Sequence, residues 1–194
     1  MMNKFVAAIL ACSTGLLHAT GALAEESQRL HRQNNSIFYN GDLEGDLQPD
    51  ADVVRDMLNA ESGIDRIVLT GSFTLTTDAL DVARVIDDFD LTTEIRDQCT
   101  DACLYMFVAG KERILAKGAK IGLRRRTIDA STVKEKFDAR KARYGWEDEF
   151  GQAVTLYDIG QSDMRWALLY LMDHGVALEF GLKVFATPRE DMWW

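Results

Sequence analysis

The chain is short of the residues on which most chemistry at neutral pH depends. Of its 194 residues only three are histidine and three are cysteine. No set of metal-ligating side chains recurs at usable spacing, so no metal centre is expected, and nothing calls for a cofactor. There is no C-x-x-C pair, and Arg96 is the one nearby group that would lower a thiol pKa, which leaves a redox role weakly supported. Cations are also in the minority: 22 Lys and Arg face 31 Asp and Glu, a net charge of −9. Such a chain repels phosphate backbones, and nucleic acid is not an expected partner. Beyond the N-terminal segment, no apolar run approaches the ~18 residues of a spanning helix. No internal repeat is visible.

What is present begins with Lys4, the apolar stretch Phe5 to Leu17, and Ala22-Leu23-Ala24. That is the charged, apolar and small-residue order of a secretory signal peptide, 1–24, cleaved after Ala24. A lipoprotein box at Ile9-Leu10-Ala11-Cys12 competes with this reading, but it would leave a short apolar region and a bulky Leu10. Export places the mature chain in the periplasm or outside the cell, with no membrane contact and a net charge of about −10. The remaining length of about 170 residues suits one domain, 36–194, behind a polar, mobile lead-in at 25–35. Cys99 and Cys103 are the cysteines left after cleavage. In an oxidising compartment they are either bridged or two small buried thiols.

Alternating signals run through the first two-thirds. A strand over Ser36 to Tyr39 is followed by turns at Asn40-Gly41 and Gly45, then by a helix after Pro49 with Val53, Val54, Met57 and Leu58 on one stripe. Ile67-Val68-Leu69 reads as a buried parallel strand. Thr77 is placed to cap a helix with Ala79, Val82, Ala83 and Ile86 inward. A strand over Thr92 to Ile95 precedes a turn at Cys99 to Cys103 and a helix over Leu104 to Val108. Two short strands follow, Arg113 to Leu115 and Lys120 to Leu123. The last third is helical. Thr132 and Glu135 form a capping box, with Val133, Phe137 and Tyr144 on one face, and Met164, Ala167, Leu168, Leu171 and Met172 repeat the spacing before His174-Gly175. An α/β crossover core is expected.

Cys99, Ala102 and Cys103, then Ala109, Gly110 and Arg113, match a C-x-S-A-C turn feeding an apolar helix that ends A-G-x-x-R. The chain thereby resembles the secreted branch of the Clp-protease-like and crotonase-like superfamily, over most of its mature length. The resemblance implies a ClpP/crotonase-like spiral of β-β-α units with a helical C-terminal third. It also implies homo-oligomerisation or pairing with a Clp-like partner. In that family the serine of the turn is the nucleophile, and Asp101 stands there. The G-F-H motif with the catalytic histidine falls at Gly122-Leu123-Arg124, and a guanidinium cannot act as a base at neutral pH. The oxyanion loop of type L-N-S-P-G-G corresponds to Leu69 through Thr74, with Phe73 and Thr74 in place of the glycine pair whose backbone N–H groups face the substrate. Asp129 and Asp158 follow in chain order as candidates for the third member.

Opposite charges at Asp101 and Arg124 give two readings. One is a salt bridge filling a dead site, at roughly 4 Å or less. The other is a carboxylate nucleophile held by an arginine. His31 lies in the lead-in, and His174 suits a helix end, bonding terminal carbonyls. Arg124-Arg125-Arg126 is either an anion patch or a solvated run. Trp193-Trp194 is either packed on the core or an anchor for a partner. The expectation is an exported protein without catalytic residues that acts by protein or peptide binding or by assembly. A peptidase-like hydrolase rebuilt around Asp101 is the alternative, and a thiol-based redox protein is the third.

Overall fold

The computed structural model describes residues 28–45, 48–74, 76–122 and 130–187. In chain order these form β1 (Leu30–Gln33), β2 (Ser36–Asn40), α1 (Asp50–Ala60), β3 (Arg66–Phe73), α2 (Thr76–Asp88), β4 (Thr92–Asp101), α3 (Cys103–Ala109), β5 (Arg113–Leu115) and β6 (Lys120–Gly122). Three further helices follow: α4 (Ala130–Tyr144), α5 (Glu149–Asp173) and α6 (Leu178–Ala186). The chain is mixed α/β with a helical last third, as its pattern predicts. The proposed signal peptide, 1–24, lies outside the described residues, and no helix within them is long and apolar enough to cross a membrane.

One six-stranded sheet runs β1-β2-β3-β4, and the far side of β4 is shared by β5 and β6. β2, β3 and β4 are parallel, while β1 pairs antiparallel with β2. β5 meets β4 at residues 93–95 and β6 meets it at 98–100, both parallel. The strands are parallel because a helix returns the chain after β2, β3 and β4 in turn. Ile37, Tyr39, Ile67, Leu69 and Ile95 point from the sheet into the core and are essentially inaccessible.

Against them lie the apolar faces of three helices. α1 starts behind Pro49, with Asp50 and Asp52 in its first turn, where carboxylates suit the helix dipole. Its Val54 is fully buried. α2 buries Ala79, Val82, Ala83 and Ile86, as its helical stripe predicts, and Val85 besides. Each large side chain so buried contributes roughly 1.5–3 kcal/mol of transfer free energy. α3 buries Leu104, Met106 and Val108 and stops at Gly110, where a Cβ would strike the Thr93 side chain. The Thr93 hydroxyl donates to the Phe107 carbonyl at 2.7 Å, satisfying one terminal acceptor. A second, smaller cluster joins Leu104 and Val108 of α3 to Leu171 of α5 and Val184 of α6. There the Tyr170 hydroxyl donates to the Tyr105 carbonyl at 3.0 Å.

The other sheet face carries charge. Glu94 accepts from Arg96 at 2.6 Å and from Arg66 at 2.7 Å, and Arg96 lies over the Phe38 ring. His31 stacks on Phe38 with centroids 5.2 Å apart. Part of the expected lead-in, 25–35, is therefore strand β1. Other boundaries shift too. β4 continues through Cys99 to Asp101 instead of ending near Ile95, because β3 on one side and β6 on the other supply partners as far as the elbow. α2 begins at Thr76, so Thr77 lies inside it, and α4 already runs through Thr132 instead of being capped there. In α5 the face assigned inward is split: Leu171 is buried, whereas Met164 and Met172 are exposed, as is Tyr144 of α4.

Candidate functional site

Parallel strands deliver their carboxyl ends to one side of a sheet, where ligands of α/β proteins collect. Here those ends are Asn40 of β2, Ser72-Phe73 of β3 and Asp101 of β4. The loops leaving them interlock. A Cβ at position 41 would sit 2.5 Å from the Ser72 carbonyl oxygen, so only glycine allows β2 to leave beside β3. Gly71 has φ +85°, and a Cβ there would meet Asn40 and the Asp42 carboxylate at 2.8 Å. It also sits at a break in the β3–β4 register. The strand is bent at this point, which brings the Ser72 N–H to the Asp42 carboxylate at 2.9 Å. The Asp42 N–H in turn donates to the Asn40 side-chain oxygen at 3.0 Å.

Asp101 holds a left-handed backbone, φ 61°, at the junction of β4 and α3. Aspartate tolerates this region better than most residues. Its Oδ2 accepts the Ser72 hydroxyl at 3.1 Å. The elbow is braced by a disulfide between Cys99 and Cys103, with Cα atoms 5.7 Å apart and both residues fully buried. Of the two states open to these cysteines, the bridge is the one formed. Arg124, expected opposite Asp101, lies outside the described residues, as do Arg125, Arg126, Asp129, Trp193 and Trp194.

Beside this junction opens a cleft of about 450 Å³, lined among others by Arg29, Tyr39, Asp50, Ser72, Phe73, Thr74 and Asp78. Asp101 is not part of its lining and meets it through Ser72. Phe73 is buried and turns its ring edge-on to Tyr39, with centroids 4.7 Å apart. Its carbonyl accepts the Ala102 N–H at 2.9 Å. Thr74 is exposed at the rim. At the back of the cleft stands a charged network. Asp50 Oδ2 accepts both Arg29 Nε at 2.9 Å and the Tyr39 hydroxyl at 2.5 Å. Arg29 also donates to the Leu43 carbonyl at 2.6 Å and lies over the Tyr39 ring. Burial, and then the bond to Asp50, push the Tyr39 hydroxyl far above the ordinary tyrosine range. Tyr39 is thus a fixed donor, not a base. Burial opposes the Arg29 charge, but Asp50 and Tyr39 together outweigh it and hold the guanidinium above its usual value.

Among the described residues no histidine lines the cleft. His31 sits on the charged sheet face, and His174 ends α5 with Nδ1 2.8 Å from the Tyr170 carbonyl, the helix-end role expected of it. Asp158 lies on the exposed side of α5. Among the described residues no three His, Cys, Asp or Glu side chains group to hold a metal. The network of Arg29, Tyr39 and Asp50 was not signalled by sequence. Its partners are ten or more residues apart, and Arg29 lies in a segment with no strand pattern. No family model, curated protein or solved structure matches the chain.

Proposed function

We propose that this is an exported protein of the Clp-protease-like and crotonase-like type, with that family's β-β-α spiral, that binds a peptide or protein segment, or assembles, without catalysing a reaction. The observation that carries the reading is the state of Asp101. At the position the resemblance assigns to a serine nucleophile, a carboxylate is turned onto the Ser72 hydroxyl outside the lining of the cleft. Phe73, at an oxyanion-loop position, is packed on Tyr39 in the core. Acyl transfer needs a nucleophile, a base and oxyanion donors converging on one point. The buried disulfide supports export to an oxidising compartment. Complete burial of both sulfurs also argues against thiol exchange, which needs access for an attacking thiolate.

One observation favours the hydrolase reading, namely the left-handed backbone of Asp101 at a strand-to-helix junction, since such backbone states gather at active sites. A single experiment separates the two. The purified mature protein is incubated with a serine-directed fluorophosphonate and with generic peptide and ester substrates. No labelling and no turnover above background are expected. Hydrolysis by the wild type that Asp101→Asn abolishes would overturn the binding role and establish a carboxylate mechanism.

A further inference from the structure

The cleft at the strand ends offers acceptors to a ligand, because its donors are mostly spent on the protein itself. Arg29 is the one cation lining it among the described residues. It commits Nε to Asp50 at 2.9 Å, and its terminal nitrogens to the Gly41 carbonyl at 3.2 Å, the Leu43 carbonyl at 2.6 Å and the Tyr39 hydroxyl at 3.4 Å. Four of its five N–H groups are thereby engaged. The Tyr39 hydroxyl is given to Asp50, the Ser72 hydroxyl to Asp101 and the Ser72 N–H to Asp42. The N-terminal ends of α1 and α2 border the cleft, but each already carries a carboxylate in its first turn, Asp50 and Asp78, that answers the helix dipole. An anion entering here would meet few free donors and two negative charges.

The acceptors are open. Both bonds to Asp50 fall on Oδ2, and Oδ1 has no hydrogen-bond partner among the described residues. Gly45 keeps that oxygen uncovered: a Cβ there would lie 3.3 Å from Asp50 Oδ1 and 3.1 Å from the Arg29 stem. The backbone at Gly45 is not left-handed, so what a side chain would take away is space over Asp50. Asp78 is exposed at the rim and makes no ion pair among the described residues. Pro49, Phe73 and Ala79 supply an apolar lining. Asp101 behind Ser72, and Asp42 on its N–H, add charge of the same sign. A recess of one sign concentrates ligands of the other.

We propose that the cleft recognises the cationic side chain of a peptide. A lysine or arginine lays its alkyl stem on the apolar lining while its head donates to Asp50 Oδ1 and to Asp78. This rests on the reading of the cleft as a peptide-binding site and adds which residue the peptide must carry. A volume of about 450 Å³ is in the range of sites that enclose a group of this size. A bare metal ion is a poorer match, since no three ligating groups cluster among the described residues.

The test is fluorescence anisotropy on the mature chain with labelled pentapeptides that differ only in a central lysine, arginine, norleucine or glutamate. Norleucine keeps the stem of lysine and drops the charge. The lysine and arginine peptides are expected to bind about tenfold tighter than the norleucine peptide, the value of one charge-assisted hydrogen bond, and the glutamate peptide weakest. Asp78→Asn, at an exposed position, should cost the lysine peptide about threefold to fivefold and leave the norleucine peptide unchanged. Gly45→Val should weaken every peptide that enters the cleft. If peptides bind and Gly45→Val weakens them, but norleucine or glutamate matches lysine, the inference is overturned and the cleft remains a peptide site. If no peptide binds at about 1 mM, the reading of the cleft falls and the inference with it. A preference for lysine that neither Asp78→Asn nor Gly45→Val alters places recognition elsewhere and also refutes it. Spermidine bound as tightly as the lysine peptide would make the ligand a free polyamine and refute the peptide assignment.

Discussion

Removing one oxygen atom, with Tyr39→Phe, tests the charged network behind the cleft. The variant keeps the ring, its edge-on contact with Phe73 and its place under Arg29, so no cavity opens. It loses the 2.5 Å bond to Asp50 Oδ2, while Arg29 remains on that oxygen at 2.9 Å. A hydrogen bond to a charged group contributes about 1.5–3 kcal/mol, and the surviving arginine places the loss near the low end, at about 1.5 kcal/mol. For a domain of this size that lowers Tm by about 3–6 °C. The effect has a pH signature. Below the ordinary tyrosine value of 10.0 both folded and unfolded chains hold the proton. Above it the unfolded chain releases the proton and the folded chain keeps it, so stability falls as pH rises, by up to ~1.4 kcal/mol per pH unit for each such tyrosine. Tyr170, raised first by its burial, behaves in the same way. Tyr39→Phe removes one of the two, so its alkaline decline should be about half as steep and its deficit should shrink above pH 10. Urea unfolding followed by circular dichroism at neutral pH, repeated in alkaline buffers, reads both effects. A deficit under about 0.5 kcal/mol at neutral pH, or parallel alkaline profiles, would refute the network as described.

Three further outcomes are expected. Cys99→Ser with Cys103→Ser should cost about 2 kcal/mol in urea unfolding, the small value that belongs to so short a loop, and two equivalents of alkylation on unfolded wild type without reductant would contradict the bridge. Glu94 is held below its ordinary value of 4.5, first by its bond to Arg96 and then by Arg66. The stability it contributes is present above that value and is lost as pH falls through its folded-state pKa. Glu94→Gln should therefore flatten the acid decline and cost about 1 kcal/mol at neutral pH, because both arginines reach solvent. An identical acid decline in wild type and variant would contradict this. Asp101→Ser should remain inactive toward peptides and esters, since residues of a catalytic unit act together and Phe73 still stands in the loop; measurable turnover would show that one substitution suffices.

The parts of the fold legible in the sequence are those where a single face is buried. The stripes of α1 and α2 and the run Ile67-Val68-Leu69 carry their burial in their spacing. β1 does not, because of its four residues only Leu30 is buried and its pairing depends on β2. The far half of β4 is hidden for the same reason: Arg96, Asp97 and Gln98 are exposed, and neighbours on both sides make them strand. The elbow cysteines were legible as a pair, but their bonding required the backbone that brings their Cα atoms together. Periodicity placed Met164 and Leu171 on one stripe of α5, but only the end that meets α3 and α6 is buried, which spacing alone does not reveal. The cleft was the least legible part, since Arg29, Tyr39 and Asp50 meet only after β1 has paired.

The division of one β4 flank between β5 and β6 has a consequence for recognition. A peptide caught by strand addition needs a long run of unpaired backbone groups along a sheet border. Among the described residues the border on this side consists of two three-residue pieces separated by the turn at 116–119, and on the other it is the four residues of β1. Short borders of this kind also resist the edge-to-edge stacking that leads to aggregation. A peptide bound as proposed would therefore be held by side chains in the cleft at the strand ends and not by a backbone ladder.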